Sequence, residues 1–403
     1  MERRRLRIAI AISSGALLLA AVPARAQPPD AQHEHMHMDM DIDAGAGWSA
    51  MQDAIVFAEF NRQGGPRGGS ELVVPNWWMG MASRTLPRGR LTLTAMLSLD
   101  PATVGAQGYR EIFQAGEAFE GQPIVDRQHP HDFFMQLAAA WRARLGDATT
   151  ILIAGGPVAE PALGPIAFMH RASAIDNPTA PLGHHTFDST HIAFGVVTAG
   201  VDRGRWTVEG SIFNGREPDD HRWNLEIAPL DSYSGRVWFR PAKEWALQLS
   251  TGHLHEPEAL ERGDIARTTA SVSWTRAAAA GVAGITVGYG QNDTGHGTRR
   301  AVLAEAARQR GATTIYGRFE SGEIEHTSPE DPVAAVTIGA VRDVVRRAGF
   351  AGGIGGDVTF YGVPDALVDA YSRVPVSFHV FFRLRPPAGK MGRMVDMRLG
   401  AEN

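Results

Sequence analysis

Apolar and polar residues alternate with a period of two through most of this chain. From Arg90 to Leu99, one side is Leu91, Leu93, Ala95, Leu97 and Leu99, and the other is Arg90, Thr92, Thr94, Met96 and Ser98. From Phe133 to Leu145 the apolar side is Phe133, Met135, Leu137, Ala139, Trp141, Ala143 and Leu145, opposed by Gln136, Arg142 and Arg144. From Val376 to Arg385, Val376, Phe378, Val380, Phe382 and Leu384 oppose Ser377, His379, Phe381, Arg383 and Arg385. A period of two sustained over ten or so residues is that of a strand with one apolar and one polar face. The pattern predicts sixteen strands, over 54–62, 71–84, 89–99, 132–144, 148–158, 189–201, 205–215, 231–240, 245–254, 266–276, 283–291, 298–308, 312–322, 333–342, 349–359 and 375–385. The span 298–308 stands apart, because its Ala and Glu content reads equally well as a helix.

Alternation also occurs in soluble sandwiches, and three further features select a membrane barrel. The strands are about ten residues long, which suits a tilted crossing of the hydrocarbon layer. Tight turns at 86–89, 146–148, 201–204 and 241–244 alternate with long segments at 100–131, 159–188, 216–230 and 255–265. Trp141, Trp206, Trp245 and Trp274 fall on apolar faces beside the short turns, as an interfacial aromatic girdle would. The expected fold is all-β: a transmembrane, antiparallel, up-and-down barrel over 48–385. It has about sixteen strands, short periplasmic turns and long extracellular loops, with outer-membrane lipid as its first partner. No role is assigned to a C-terminal extension over 386–403.

The chain opens with Arg3, Arg4, Arg5 and Arg7, an apolar run from Ile8 to Val22, and Ala24-Arg25-Ala26. This is the pattern of a cleaved signal peptide over 1–26. Residues 27–47, QPPDAQHEHMHMDMDIDAGAG, are low in complexity and read as a disordered periplasmic tail. No later run of about 18 apolar residues predicts a membrane helix. The chain has no Cys, which excludes disulfides, thiolate metal sites and a cysteine nucleophile. Removing residues 1–26 takes five Arg and one Glu from totals of 39 basic and 44 acidic residues, leaving a net charge of −9. That balance argues against a nucleic-acid partner.

Candidate chemistry gathers in three places. In the tail, His33, His35, Met36, His37, Met38 and Met40 interleave imidazole with thioether. Thioether sulfur selects Cu(I), and imidazole accepts Cu(II) and zinc, so this segment suits copper capture. In the long connections, His129, His131, His184 and His185 form the densest imidazole group, either a metal site or polar ballast of loops folded into the lumen. Arg90, Arg142, Arg144, Arg236, Arg240, Arg318, Arg383 and Arg385 lie on polar faces. As pore-lining residues they would favour anions. Ser189 with Asp188, His185 and His191 raises a hydrolase at the barrel rim, but no GxSxG elbow is present.

At DRQHPHDFF (126–134), FMHRASAIDNPTAPLGHH (168–185) and DSTHIAFGVV (188–197), the sequence resembles a family of porin-like proteobacterial outer-membrane barrels. Members often accompany heavy-metal or copper-resistance systems. The resemblance covers nearly the whole mature chain and implies a barrel in the outer membrane of a Gram-negative cell. It supplies no catalytic or binding residues. The expected function is passage or handling of small solutes or metal ions, in copper or heavy-metal homeostasis. A non-conducting barrel whose His-rich loops bind a ligand or partner is the alternative. No catalytic residue and no required cofactor is expected beyond a copper ion, and the oligomeric state is left open.

Overall fold

The computed structural model describes residues 42–43, 47–278, 281–323, 332–347 and 349–386. Residues 1–41, including the expected signal peptide over 1–26 and His33, His35, Met36, His37, Met38 and Met40, lie outside the described residues, as does 387–403.

Sixteen antiparallel strands form the wall. They are β1 (Trp48–Gln63), β2 (Gly69–Val73 continued by Asn76–Leu86), β3 (Gly89–Leu97), β4 (Phe134–Arg144), β5 (Thr149–Ala159), β6 (Ala193–Arg203), β7 (Trp206–Phe213) and β8 (Ser232–Phe239). They continue as β9 (Trp245–Leu254), β10 (Ile265–Ala278), β11 (Gly281–Thr294), β12 (Gly297–Arg310), β13 (Thr313–Gly322), β14 (Val333–Arg347), β15 (Phe350–Gly362) and β16 (Val376–Arg385). Each pairs with its neighbour in the chain, and β16 pairs with β1 at Val380↔Phe60, which closes the ring. Closure leaves no strand edge with unpaired backbone groups, as a lipid environment demands. β2 breaks at Val74-Pro75, but both halves pair with β1, and Pro75 still accepts a bond from Phe57 N at 3.0 Å.

The faces are inverted relative to a soluble protein. On β16, Ser377, His379, Phe381, Arg383 and Arg385 are 0–2% exposed, whereas Val376, Phe378, Val380 and Phe382 are 39–53% exposed. Apolar side chains therefore face outward and polar ones face the lumen. Trp206 and Trp245 are exposed on this outer face, and Trp245 is directly paired with Trp274.

The helix-like span is a strand. β12 buries Ala301, Leu303, Glu305, Ala307 and Gln309 and exposes the residues between. Ladders on both sides, Thr286↔Glu305↔Arg318, outweigh the helical propensity. Two expectations need correction. Met135 was placed on the outer face, but it is the extra residue of a bulge on β4, opposite Met96 and Leu97, which turns it inward, where it is 1% exposed. The strand expected from 189 begins at Ala193, because Ser189–His191 forms a short 3-10 turn.

Two long connections fold into the lumen. The segment after β3 forms a hairpin, Tyr109–Phe119 with Gln122–Gln128, where only a loop was expected. The segment after β5 is the main filling. Within 161–192, every residue except Ile166, His170, Leu182, Ser189 and His191 is fully buried. It is bonded to opposite walls: Ala162 N to Ser211 Oγ at 2.7 Å, Gly164 N to Ser250 Oγ at 2.9 Å, and Asp176 to Arg383 and, at 3.0 Å, to Arg385 Nε.

Two predictions follow from this geometry. Leu93→Arg and Val380→Arg place a charge in lipid at about 2–4 kcal/mol, so both should lose heat-modifiable gel mobility. Thr94→Asn, on the lumen face, should keep it; equal folding of all three would contradict the inverted faces. Asp176→Ala takes from Arg383 and Arg385 the carboxylate they share, although Arg383 keeps Asp343, a loss of at most about 3–5 kcal/mol. Urea titration in detergent should show that loss, and planar-bilayer recording should show higher conductance than the parent, because the filling segment loses its anchor.

Candidate functional site: a histidine cluster in the lumen

The two inward segments meet at their histidines. His129 and His131 flank Pro130 at the exit of the hairpin. Pro130 holds the preceding residue extended, so the two rings leave the chain separately. His184 and His185 begin a single helical turn, His184–Phe187, followed by Asp188 and then His191. Ring centres stand 5.1 Å apart for His129 and His185, 5.6 Å for His129 and His184, 5.5 Å for His184 and His185, 5.2 Å for His184 and His191, and 5.7 Å for His131 and His191. Two imidazoles on one ion, with metal–nitrogen bonds of about 2 Å at a tetrahedral angle, place their ring centres about 5 Å apart.

Four of these rings are fixed through Nδ1. His184 Nδ1 donates to Asp188 Oδ1 at 2.7 Å, His185 Nδ1 to Glu217 Oε1 at 2.7 Å, His131 Nδ1 to Asp100 Oδ2 at 2.9 Å, and His191 Nδ1 to the Asp188 carbonyl at 2.8 Å. An acceptor on Nδ1 fixes the tautomer and leaves Nε2 as the ligating nitrogen, the arrangement typical of metal-binding histidines. His191 Nε2 is buried with no hydrogen-bond partner, and His185 Nε2 lies 3.4 Å from His129 Nδ1. Gly116 of the hairpin makes this approach feasible. At φ +127° a Cβ there would stand 2.1 Å from His185 Cε1, so a larger residue would push the ring away. Two carboxylates, Glu217 and Glu258, bring donor oxygens into one group with His185.

Asp188 carries much of the local structure. Besides His184 it accepts from Arg171 Nη1 at 2.8 Å and Phe168 N at 2.9 Å. Burial alone would raise its carboxyl, but the His184 bond and the Arg171 charge hold it well below the usual carboxylate range. Burial, with repulsion from neighbouring rings, pushes His129 and His191 well below the ordinary imidazole value. His184 is also lowered by burial, which outweighs its bond to Asp188. Burial thus favours the neutral form of His129, His184 and His191, the form that ligation requires.

All four loop histidines singled out from the sequence, His129, His131, His184 and His185, come together here. His191, read from the sequence beside Asp188 and Ser189, joins them, with His170 nearby. The signal that points to them is the texture of 159–192, which is too rich in Ala, Pro, Leu, Ile, Phe and Met for a solvated loop. Ser189, considered as a nucleophile, accepts from Arg267 Nη1 at 2.9 Å and sits on a turn rather than a strand.

The eight arginines do face inward, but four are matched by carboxylates. Arg236 donates to Glu209 Oε2 at 3.0 Å, Arg318 to Glu305 Oε2 at 3.1 Å, and Arg383 and Arg385 hold Asp176. Arg240 donates to Thr207 at 3.0 Å, Arg142 is half-buried, and Arg90 and Arg144 are exposed at the short-turn end. Among the described residues, fully buried carboxylates outnumber fully buried arginines thirteen to seven. Pairing of four of the eight arginines with carboxylates weakens the anion preference expected from them.

No known protein family and no curated protein matches this sequence. Solved barrels do match it in shape. An anion-selective porin from Comamonas acidovorans superposes with a TM-score of 0.50 at 10% identity, over 84% of this chain and 99% of that one. OmpF of Salmonella typhi gives 0.49 at 9% identity, over 84% and 98%. A loop-deletion mutant of OmpT from Vibrio cholerae gives 0.48 at 8% identity, over 84% and 99%. The first of these likenesses agrees with the strand pairing: this is a closed sixteen-stranded antiparallel barrel of the porin type.

Neutral, buried rings give a pH prediction. Because His129, His184 and His191 titrate below free imidazole, a divalent ion bound by them should stay bound as pH falls through about 6.5. Histidines of the 27–47 tail, if they bind, should release theirs there. Cu(II) titrations at pH 7.5 and 6.0 check this; complete release with an ordinary imidazole profile would contradict it.

Proposed function

We propose that this protein is an outer-membrane barrel that holds a transition-metal cation, copper foremost, in a histidine cluster built by its two inward loops. One observation carries the reading: five imidazoles from the two inward segments stand in a chain with neighbouring ring centres 5.1–5.7 Å apart, four of them oriented through Nδ1. A nitrogen-rich set favours Cu(II) among the divalent first-row ions. The carboxylates that hold the rings, Asp188, Glu217 and Asp100, support a cation over an anion. The apolar outer face supports residence in the outer membrane. The filled lumen favours handling of a specific ion over free passage of solutes, and it brings the reading closer to a ligand-binding barrel than to an open pore.

The test uses full-length protein in which His33, His35 and His37 are alanine, so that the tail does not contribute. Cu(II) should bind with nitrogen hyperfine structure in its electron paramagnetic resonance spectrum. His129→Ala with His184→Ala should remove that signal. Asp188→Asn, which leaves the rings but weakens their orientation, should lower affinity by about 10–100-fold. A spectrum without nitrogen ligands, or binding unchanged in the double variant, would overturn the proposal.

A further inference from the structure

A cavity of about 180 Å³ lies in the lumen beside the cluster. Met79, Met81, Met96 and Met135 line it, together with His170 and His191. The methionines come from three adjacent strands, β2, β3 and β4, all on inner faces. Met79 and Met96 are direct cross-strand partners, and the β4 bulge brings Met135 beside them. Met79, Met96 and Met135 share one apolar cluster with Ile55, Phe57 and Trp77 of the inner face, and Met81 packs against it. Methionine in a core usually serves to fill irregular gaps. Here four of them surround a space that stays open, in an interior that otherwise packs closely.

The chemistry of that lining is specific. Thioether sulfur is a neutral, soft donor that selects Cu(I)-type ions over hard divalent ones. His191 adds an imidazole whose Nδ1 is held by the Asp188 carbonyl and whose buried Nε2 has no hydrogen-bond partner. Arg142 and Glu160 also line the space, one charge of each sign, so the lining itself is nearly balanced. We propose that this cavity is a second metal site, for a soft monovalent cation of the Cu(I) or Ag(I) class, held by methionine sulfurs with His191 or His170. It lies on the short-turn side of the histidine cluster, since the cavity reaches Thr92 and Arg142, close to the β3 and β4 ends at the turns. An ion moving from the long-loop end would meet imidazoles first and thioethers second, with His191 common to both. The site rests on residues other than the four loop histidines, so either site stands if the other fails.

The probe is Ag(I), followed by Cu(I) under anaerobic reducing conditions, on full-length protein with Met36, Met38 and Met40 changed to leucine and His33, His35 and His37 changed to alanine. About one equivalent should bind, and X-ray absorption should show a sulfur shell. Met79→Leu with Met96→Leu and Met135→Leu keeps the side-chain volume while removing the sulfurs. That variant should lose at least tenfold in Ag(I) affinity and lose the sulfur shell, while Cu(II) binding at the histidines is retained. If the triple variant does not fold, the single Met96→Leu and Met135→Leu proteins carry the test, each with weakened binding. His129→Ala with His184→Ala should abolish Cu(II) binding and leave Ag(I) binding in place. Absence of Ag(I) binding, or binding with a shell of nitrogen only that the leucine variants do not change, would overturn the proposal.

Discussion

Asp188 is the residue on which the interior depends. Its carboxylate takes the His184 ring, the Arg171 guanidinium and the Phe168 amide, and its carbonyl takes the His191 ring. Arg171 in turn reaches Glu305 on β12, and Ser173 bonds the same carboxylate at 2.8 Å. One buried anion thus ties the folded segment to itself, to the wall and to two imidazoles. Such a network is stable only when each member is satisfied, because a charge left unpaired in a dry interior costs several kcal/mol. The geometry of the candidate site is a by-product of that requirement. The rings stand where they do because the carboxylate that orients them is also the one that fastens the segment.

The wall was legible in the sequence because a single rule governs it. Lipid on one side and a polar lumen on the other force period-two alternation, and β3, β9 and β16 fall within two residues of the spans that alternation predicts. Even β12 obeyed the rule against its composition. The interior was legible only in part. His129, His131, His184 and His185 stood out by density, but nothing periodic in 100–131 or 159–192 says that those segments turn inward. Their placement depends on pairings distant in sequence, such as Asp176 with Arg385 and Gln114 with the Ala180 carbonyl. The arginines illustrate the limit. Their inward direction follows from alternation, whereas their neutralisation by Glu209, Glu305 and Asp176 depends on three-dimensional neighbours.

The contrast between wall and contents also explains why barrels with 10% identity share this outline. Backbone closure and an apolar band make few demands on residue identity. The contents make many: Gly116 against His185, Pro130 between two rings, Asp188 with four partners. A barrel can keep its wall while exchanging everything inside it, so chemistry must be argued from the inside.

The anchor of the filling segment has a bearing on how the molecule is assembled. Asp176 lies in the middle of the chain, while its partners Arg383 and Arg385 lie on β16, the strand that also pairs with β1. The last stretch of wall to be made therefore carries both the seam and the clasp. A ring that zipped shut around an empty centre would lack the carboxylate that the filling segment brings to both guanidinium groups, with Asp343 of the wall still meeting Arg383. Sealing the circumference and seating its contents are, for this chain, a single event, and an incorrectly threaded interior would register as a seam that does not hold.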